Sequence, residues 1–453
     1  MFSKISLKRL LIAALVLHLT IAVATNVIGR LRLLPDTFDT NGIGVGFAID
    51  SESYRREIVG LVETFSQRGL GAGLAAESPL HVKLYSLCFV IFRPLFGFTT
   101  LSAEALNVSY YLLILLLVFA VGREVFDRKV GLVAAGIVAL WPSFLLHTTQ
   151  LLRDPLFIVL MLGLVFVCTI WLTRVFPPLQ GLALGMAGAA MVCLIWVLRS
   201  QMWEVVLAIA LFAAILLVIR QIRERRLLVG NLLGVAVLLI ITVGAPRVAE
   251  KFKLYSFSID EDSKVVQPIE AGSPANPALA DAPGTEVTEP PLAPGAGLQA
   301  RITRIRHRFI KKYPDAGSNI DTDVVFTSKA DIVRYLPRAV AIGLFSPFPN
   351  MWFVAGAQVG IKGRVLSGLE TALMYLVEIL AAFGFWDRRR QLTSWLLLSI
   401  VGAGLTALGL VIVNIAVIYR MRYVFWILTI IFSVQGARHI FPKLSLKKTS
   451  AID

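Results

Sequence analysis

Residues 155–174, PLFIVLMLGLVFVCTIWLTR, decide the fold. No charge interrupts the run until Arg174. At about 1.5 Å of rise per residue, a helix of this length is about 30 Å long, the thickness of a bilayer's hydrocarbon core. Runs of the same kind recur at roughly 8–29, 104–122, 129–147, 179–198, 203–222, 227–247, 366–386, 394–417 and 423–440. Of the 453 residues, 57% are hydrophobic and only 16% are charged. Backbone groups in lipid must bond within their own segment, so long apolar runs imply helices. A β-barrel would show alternating segments of about ten residues instead. The expected fold is an all-α polytopic membrane protein with about ten transmembrane helices.

Charge sets the orientation. The formal net charge is +15, and its basic residues cluster at the ends of the spans. That pattern follows the positive-inside rule and gives no reason to expect a nucleic-acid partner. Lys4, Lys8 and Arg9 place the N-terminus in the cytoplasm. Arg123, Arg128 and Lys129 follow the second span, and Arg220, Arg223, Arg225 and Arg226 follow the sixth. Arg388, Arg389 and Arg390 follow the eighth, and Lys443, Lys447 and Lys448 follow the tenth. All five clusters share one side only if there are about ten spans. Leu80–Gly97 is then a helix lying in the outer interface, since counting it as a span would turn Arg123 outward. Val333–Val354 is a re-entrant or interfacial element, because Pro337, Pro347 and Pro349 disfavour a regular span. Ala22-Val23-Ala24 has the small-residue form of a signal-peptidase site. Apolar residues continue past it and many spans follow, so an uncleaved first helix is expected.

Three parts of the chain then face outward: residues 30–103, the turn near Gln150–Asp154, and a long loop of roughly 248–365. Asp260–Ala300 is rich in Pro, Ala, Gly and acids and reads as disordered or as a tether. Arg301–Lys312 interleaves basic and apolar residues and reads as a helix on anionic lipid. Cys88, Cys168 and Cys193 lie in apolar segments without metal-binding spacing, and no disulfide is expected. No Walker A, HExxH or GxSxG motif occurs.

The candidate chemistry lies in the outer segments. Asp50-Ser51-Glu52-Ser53-Tyr54, followed by Arg55 and Arg56, is an acidic cluster in a chain with few acids. Its carboxylates suit proton abstraction from a hydroxyl or the binding of a cation; equally, they suit local ion pairs with Arg55 and Arg56. Leu151-Leu152-Arg153-Asp154 precedes a span, where Asp154 before Pro155 is also a plausible helix N-cap. Tyr419-Arg420-Met421-Arg422-Tyr423 pairs arginines with tyrosines. Such a set suits a phosphate, since a guanidinium donates as a fork, and it also suits simple interfacial anchoring. Arg199 and Arg338 are weaker candidates at the same surface. Asp36 and Asp39 compete with Asp50, and His147 reads as an interfacial residue.

The order of these motifs resembles the GT-C glycosyltransferase superfamily, and within it the protein mannosyltransferase and aminoarabinose transferase branch (glycosyltransferase family 39-like). The acidic-plus-tyrosine motif at 50–54 and Ser78-Pro79-Leu80 with Leu84-Tyr85 match the first outer loop. Gly122–Arg128 with Gly131–Ala135 matches the cytoplasmic turn between the second and third spans. Leu151–Asp154 matches the second acidic motif, and Arg420-Met421-Arg422-Tyr423 matches the motif opening the last span. The likeness covers residues 1–250 and the last two spans. It implies a GT-C-like module at 1–250, an outer region at 251–365 and closing helices at 366–453. It departs from the family at Ser51, which separates two acids that are often adjacent there, so the choice between Asp50 and Glu52 as base stays open.

The resemblance implies an inverting transfer from a polyprenyl-phosphate-linked sugar to a glycan, lipid or protein acceptor at the outer face. A bacterial inner membrane with the site toward the periplasm fits that reading. Asp50 would take the acceptor's proton. Arg420 and Arg422 would meet the lipid phosphate. Asp154 with Arg153 would orient a substrate or help hold a divalent cation, Mg or Mn. Tyr54 and Tyr423 would line the substrate. The rival readings are a polymerase or ligase of lipid-linked polysaccharide, a lipid or sugar flippase, and a non-catalytic assembly factor.

Overall fold

The computed structural model describes residues 6–35, 37–38, 44–251, 297–312, 317–354 and 360–441. Asp36, Asp39, Lys4, most of the Pro-rich stretch and the C-terminal lysines lie outside these residues. The described chain is helical, with only two isolated β-bridges, Phe38 to Val45 and Asn319 to Asn414.

The helices are α1 (Leu7–Arg30), α2 (Ile49–Ala75), α3 (Leu80–Phe96), α4 (Glu104–Val125), α5 (Arg128–Ala139), α6 (Pro142–Thr148), α7 (Asp154–Thr173) and α8 (Pro178–Leu198). They continue with α9 (Trp203–Glu224), α10 (Val229–Lys251), α11 (Leu298–Lys312), α12 (Lys329–Phe345), α13 (Gly360–Arg388), α14 (Leu392–Val411), α15 (Ile415–Met421) and α16 (Tyr423–Ile440). Among the described residues, nine helices are long and apolar enough to cross a membrane, and ten if the bent pair α5–α6 forms one span. The protein is a polytopic all-α membrane protein. Counted as ten crossings, the clusters Arg123–Lys129, Arg220–Arg226 and Arg388–Arg390 fall on one side, which nine would not give.

The third span is not the continuous 129–147 helix expected from the sequence. It breaks at Leu140 and Trp141 with a 71° bend. Pro142 explains the break, because the residue before a proline is driven out of the helical region, and Trp141 is extended at φ −73°, ψ 116°. The expected span 394–417 also ends early, at Val411; Asn414 then caps the separate helix α15 by accepting from the Ala416 and Val417 amides. In the expected re-entrant segment, Pro337 does not interrupt α12, which stays helical to Phe345 and stops before Pro347. The described end of the tether, Leu298–Ala300, already belongs to α11.

Helix packing inside a bilayer gains little from the hydrophobic effect and relies on close contact between small residues. Gly181 and Gly185 on α8 face Gly230 and Gly234 on α10; a Cβ on Gly181 would lie 1.9 Å from the Gly230 carbonyl oxygen. Helices α7 and α16 are the most enclosed spans. On one end of the bundle α2 and α3 form a second core. Tyr54, Ile58, Val62, Val82, Tyr85 and Phe89 pack there with Leu151 and Leu152 from the turn before α7. That end carries the candidate residues.

Candidate functional site

Three hydrogen bonds lock the first outer segment onto the second. The Leu151 amide donates to Ser51 Oγ at 3.2 Å, and the Val45 amide donates to Gln150 Oε1 at 3.3 Å. Tyr85 OH lies 3.0 Å from the Leu152 carbonyl and 2.9 Å from Asn107 Oδ1, two acceptors for its one proton. Ser51, which separates the two acids in sequence, is thus the residue that fastens the motifs together. Asp50 opens α2 and Asp154 opens α7, where negative charge suits a helix N-terminus. Asp154 is not the N-cap, however: Arg153 holds that position, and no side chain caps the helix.

The Asp154 carboxylate is committed to arginines. Arg199 Nη2 lies 2.5 Å from Asp154 Oδ1, and Arg420 Nε lies 3.5 Å from Asp154 Oδ2. Arg420 Nη2 also donates to Asp50 Oδ2. The result is a chain of alternating charge, Asp50–Arg420–Asp154–Arg199, drawn from four separate segments. Side-chain exposure falls along it, from 30% at Asp50 and 15% at Arg420 to 5% at Asp154 and 1% at Arg199. Asp50 is therefore the solvent-facing end, and Arg199 is the buried anchor, stacked 5.2 Å over Phe157.

Burial pushes the Arg199 guanidinium down to about 10, with Asp154 opposing and Arg153 and Arg420 assisting. Burial also acts against the Arg420 charge, but Asp50 and Asp154 outweigh it and hold that guanidinium well above its ordinary value. Both arginines remain charged at neutral pH.

The other expected residues separate into two groups. Tyr54 is buried beside the cluster, its ring edge-on to His81 at 4.4 Å. His81 is held well below the usual histidine range by burial and then by the charge of Arg153. Glu52 faces Arg55 at 2.8 Å and Arg56 at 3.3 Å, on its own helix. Burial raises its carboxyl, but these two arginines more than compensate and lower it. Arg422 turns away: its fully buried guanidinium donates to the Leu344 carbonyl at 3.3 Å, to the Ser346 carbonyl and to Met374 Sδ at 3.0 Å. Those carbonyls close the end of α12, a C-capping task rather than a phosphate site. Tyr423 OH donates to Ser143 Oγ at 2.8 Å and lies 3.3 Å from His147 Nδ1. Arg338 pairs with Asp321 at 2.9 Å, on α12.

Sequence reasoning gave Arg199 little weight and passed over Glu104, His18 and Glu370. His18 Nδ1 lies 2.7 Å from Glu104 Oε1, with Asn107 bridging from Glu104 toward Tyr85. Glu370 accepts from the Ser143 amide at 2.9 Å and from Tyr419 OH, tying α13 to α6 and α15. The available signal was a single ionisable residue inside an apolar run, which is costly unless paired.

The donor set does not fit a divalent cation. Among the described residues no group of three His, Cys, Asp or Glu side chains comes together. Asp50 and Asp154 approach a common point, but both face the Arg420 guanidinium, which occupies the place a cation would take between them.

No family model and no curated protein matches this chain. Among solved structures, it is similar to the archaeal oligosaccharyltransferase AglB from Archaeoglobus fulgidus, determined in complex with an inhibitory peptide and a dolichol-phosphate. Identity is 15% and the TM-score is 0.46, over 95% of this chain and 51% of that one. The chain spans about half the length of that protein.

Proposed function

We propose that the protein is an inverting membrane glycosyltransferase that moves a sugar from a polyprenyl-phosphate donor to an acceptor hydroxyl. One observation carries the reading: Asp50, Asp154 and Arg420 come from three distant segments and meet at the bundle end opposite the basic turns. The positive-inside rule puts the basic turns in the cytoplasm and this cluster at the outer face, where a lipid-borne sugar and a cell-envelope acceptor meet. The order of the sequence motifs favours the same chemistry.

The acceptor oxygen attacks the anomeric carbon as Asp50 takes its proton. The bond from that carbon to the phosphate oxygen breaks, and its electron pair leaves on polyprenyl phosphate. A guanidinium beside the departing oxygen stabilises charge that grows only in the transition state. Arg420 is the residue placed for this, with Asp154 and Arg199 holding it. In the resting cluster Arg420 is bonded to Asp50. An incoming phosphate competes for that guanidinium, so donor binding also releases Asp50 to act as base. A phosphate leaving group needs no general acid.

The test is release of free polyprenyl phosphate by the purified protein in lipid nanodiscs, across a panel of polyprenyl-phosphate sugars, with cell-envelope extract as acceptor source. Wild type is expected to release lipid phosphate from at least one donor. Arg420→Ala is expected to lower that rate by about a hundredfold or more. Absence of release with any donor, while binding is undetectable too, would remove the reading. Glu52→Gln is expected to keep the rate within about threefold of wild type, because Glu52 serves Arg55 and Arg56 on a partly exposed helix face. A loss as large as that of Arg420→Ala would make Glu52, not Asp50, the base.

A further inference from the structure

Helix α11 carries a feature that the transfer chemistry does not use. Its sequence, LQARITRIRHRFIKK, places Arg301, Arg304, Arg308 and Lys311 at i, i+3, i+7 and i+10. That spacing is one helix face, about 15 Å long. The opposite face is docked on the bundle. Ile302 packs with Phe326 and Ile332, against Leu410 and Val411 at the end of α14. Arg306 is buried among them: it donates to the Leu410 carbonyl at 3.1 Å and the Asp321 carbonyl at 2.6 Å, and lies 5.4 Å over the rings of both Phe326 and Tyr335.

This docking decides what the basic face is for. An amphipathic helix that binds lipid buries its apolar side among acyl chains. Here protein takes that side, and Arg301, Arg308 and Lys311 are exposed. Arg301 lies 2.5 Å from Glu204, the second residue of α9 and five residues past Arg199. The stripe therefore starts beside the segment that anchors the charge cluster. On α12, packed against α11, Lys329 and Arg334 are exposed as well. Arg301 already has Glu204; Arg308 and Lys311, at helical spacing, repel one another, a cost that an anionic partner removes.

We propose that this face binds the acceptor, an anionic glycan bearing phosphate or carboxylate groups, and leads its hydroxyl to Asp50. The assignment as acceptor rests on the transferase reading above. Charge complementarity names the partner's sign, and the docked apolar face names its source as a polymer in water rather than the bilayer.

The test uses the full chain in nanodiscs of zwitterionic lipid, with dextran sulfate and neutral dextran as probes. Wild type is expected to bind dextran sulfate, to lose it as salt rises, and to ignore dextran. The variant Arg308→Gln/Lys311→Gln, changed only at exposed positions outside the cluster, is expected to bind about tenfold more weakly. Its release of polyprenyl phosphate without acceptor should match wild type. Equal binding by wild type and variant would overturn the proposal. So would a variant that loses only its retention of added anionic lipid, which would make the bilayer the partner. Wild type that binds dextran sulfate only after Asp260, Glu261 and Asp262 are replaced by serine would make the chain's own acidic segment the occupant, overturning it too. Variant-sensitive binding without lipid-phosphate release from any donor would remove the transferase reading and keep an anion-binding face. Release with variant-insensitive binding would do the reverse.

Discussion

Asp50→Asn is expected to abolish transfer and leave the fold intact. Asparagine has nearly the same shape and keeps an oxygen that can accept from Arg420, but it cannot hold the acceptor's proton. Removing a positioned general base costs about 10²- to 10⁴-fold in rate. The effect on folding should be small. The Asp50 side chain is 30% exposed, and after the substitution Arg420 still faces the Asp154 carboxylate at 3.5 Å. The expected result is release of polyprenyl phosphate below one-hundredth of the wild-type rate, with unfolding temperature nearly unchanged and donor binding kept or tightened, because a neutral amide competes less for Arg420. Asp50→Glu moves the carboxylate along its helix by one methylene and should recover only part of the rate. Turnover of Asp50→Asn at the wild-type level would take Asp50 out of the mechanism.

The selection of Asp50 over Glu52, and of Arg420 over Arg422, has one geometric cause. Each pair is two residues apart on a helical stretch, and residues i and i+2 of a helix point to nearly opposite sides. Only one member of each pair was ever able to face the cluster. The sequence carried that constraint but not the phase of either helix, which is set by Ser51 bonding to the Leu151 amide and by Arg422 bonding to the carbonyls that end α12. Those partners lie 100 and 76 residues away. The spans were legible because hydropathy is local. The break at Trp141 was also written locally, in Pro142, yet the apolar run across it looked continuous. Arg199 was hard to weigh because the acid near it in sequence, Glu204, pairs with Arg301 instead; its partner Asp154 is 45 residues away.

The Asp154–Arg199 pair separates holding the fold from running the reaction. Its side chains are 5% and 1% exposed. A charge left alone at such a site costs about 3–5 kcal/mol, whereas replacing both partners by apolar residues of similar volume is often neutral. Arg199→Met is therefore expected to destabilise the protein severely, leaving Asp154 without its closest partner and with Arg420 at 3.5 Å. Asp154→Leu should do likewise, by stranding Arg199 over Phe157. The double variant Asp154→Leu/Arg199→Met is expected to recover most of the lost stability, read as unfolding temperature in detergent. It should not recover transfer, since Arg420 then lacks the carboxylate that holds it between donor and base. A double variant that regains both stability and turnover would make the pair purely structural, and Arg420 would need no support beyond Asp50. Stability without turnover would place Asp154 in the reacting cluster through its hold on Arg420, which is the role its position between two arginines favours.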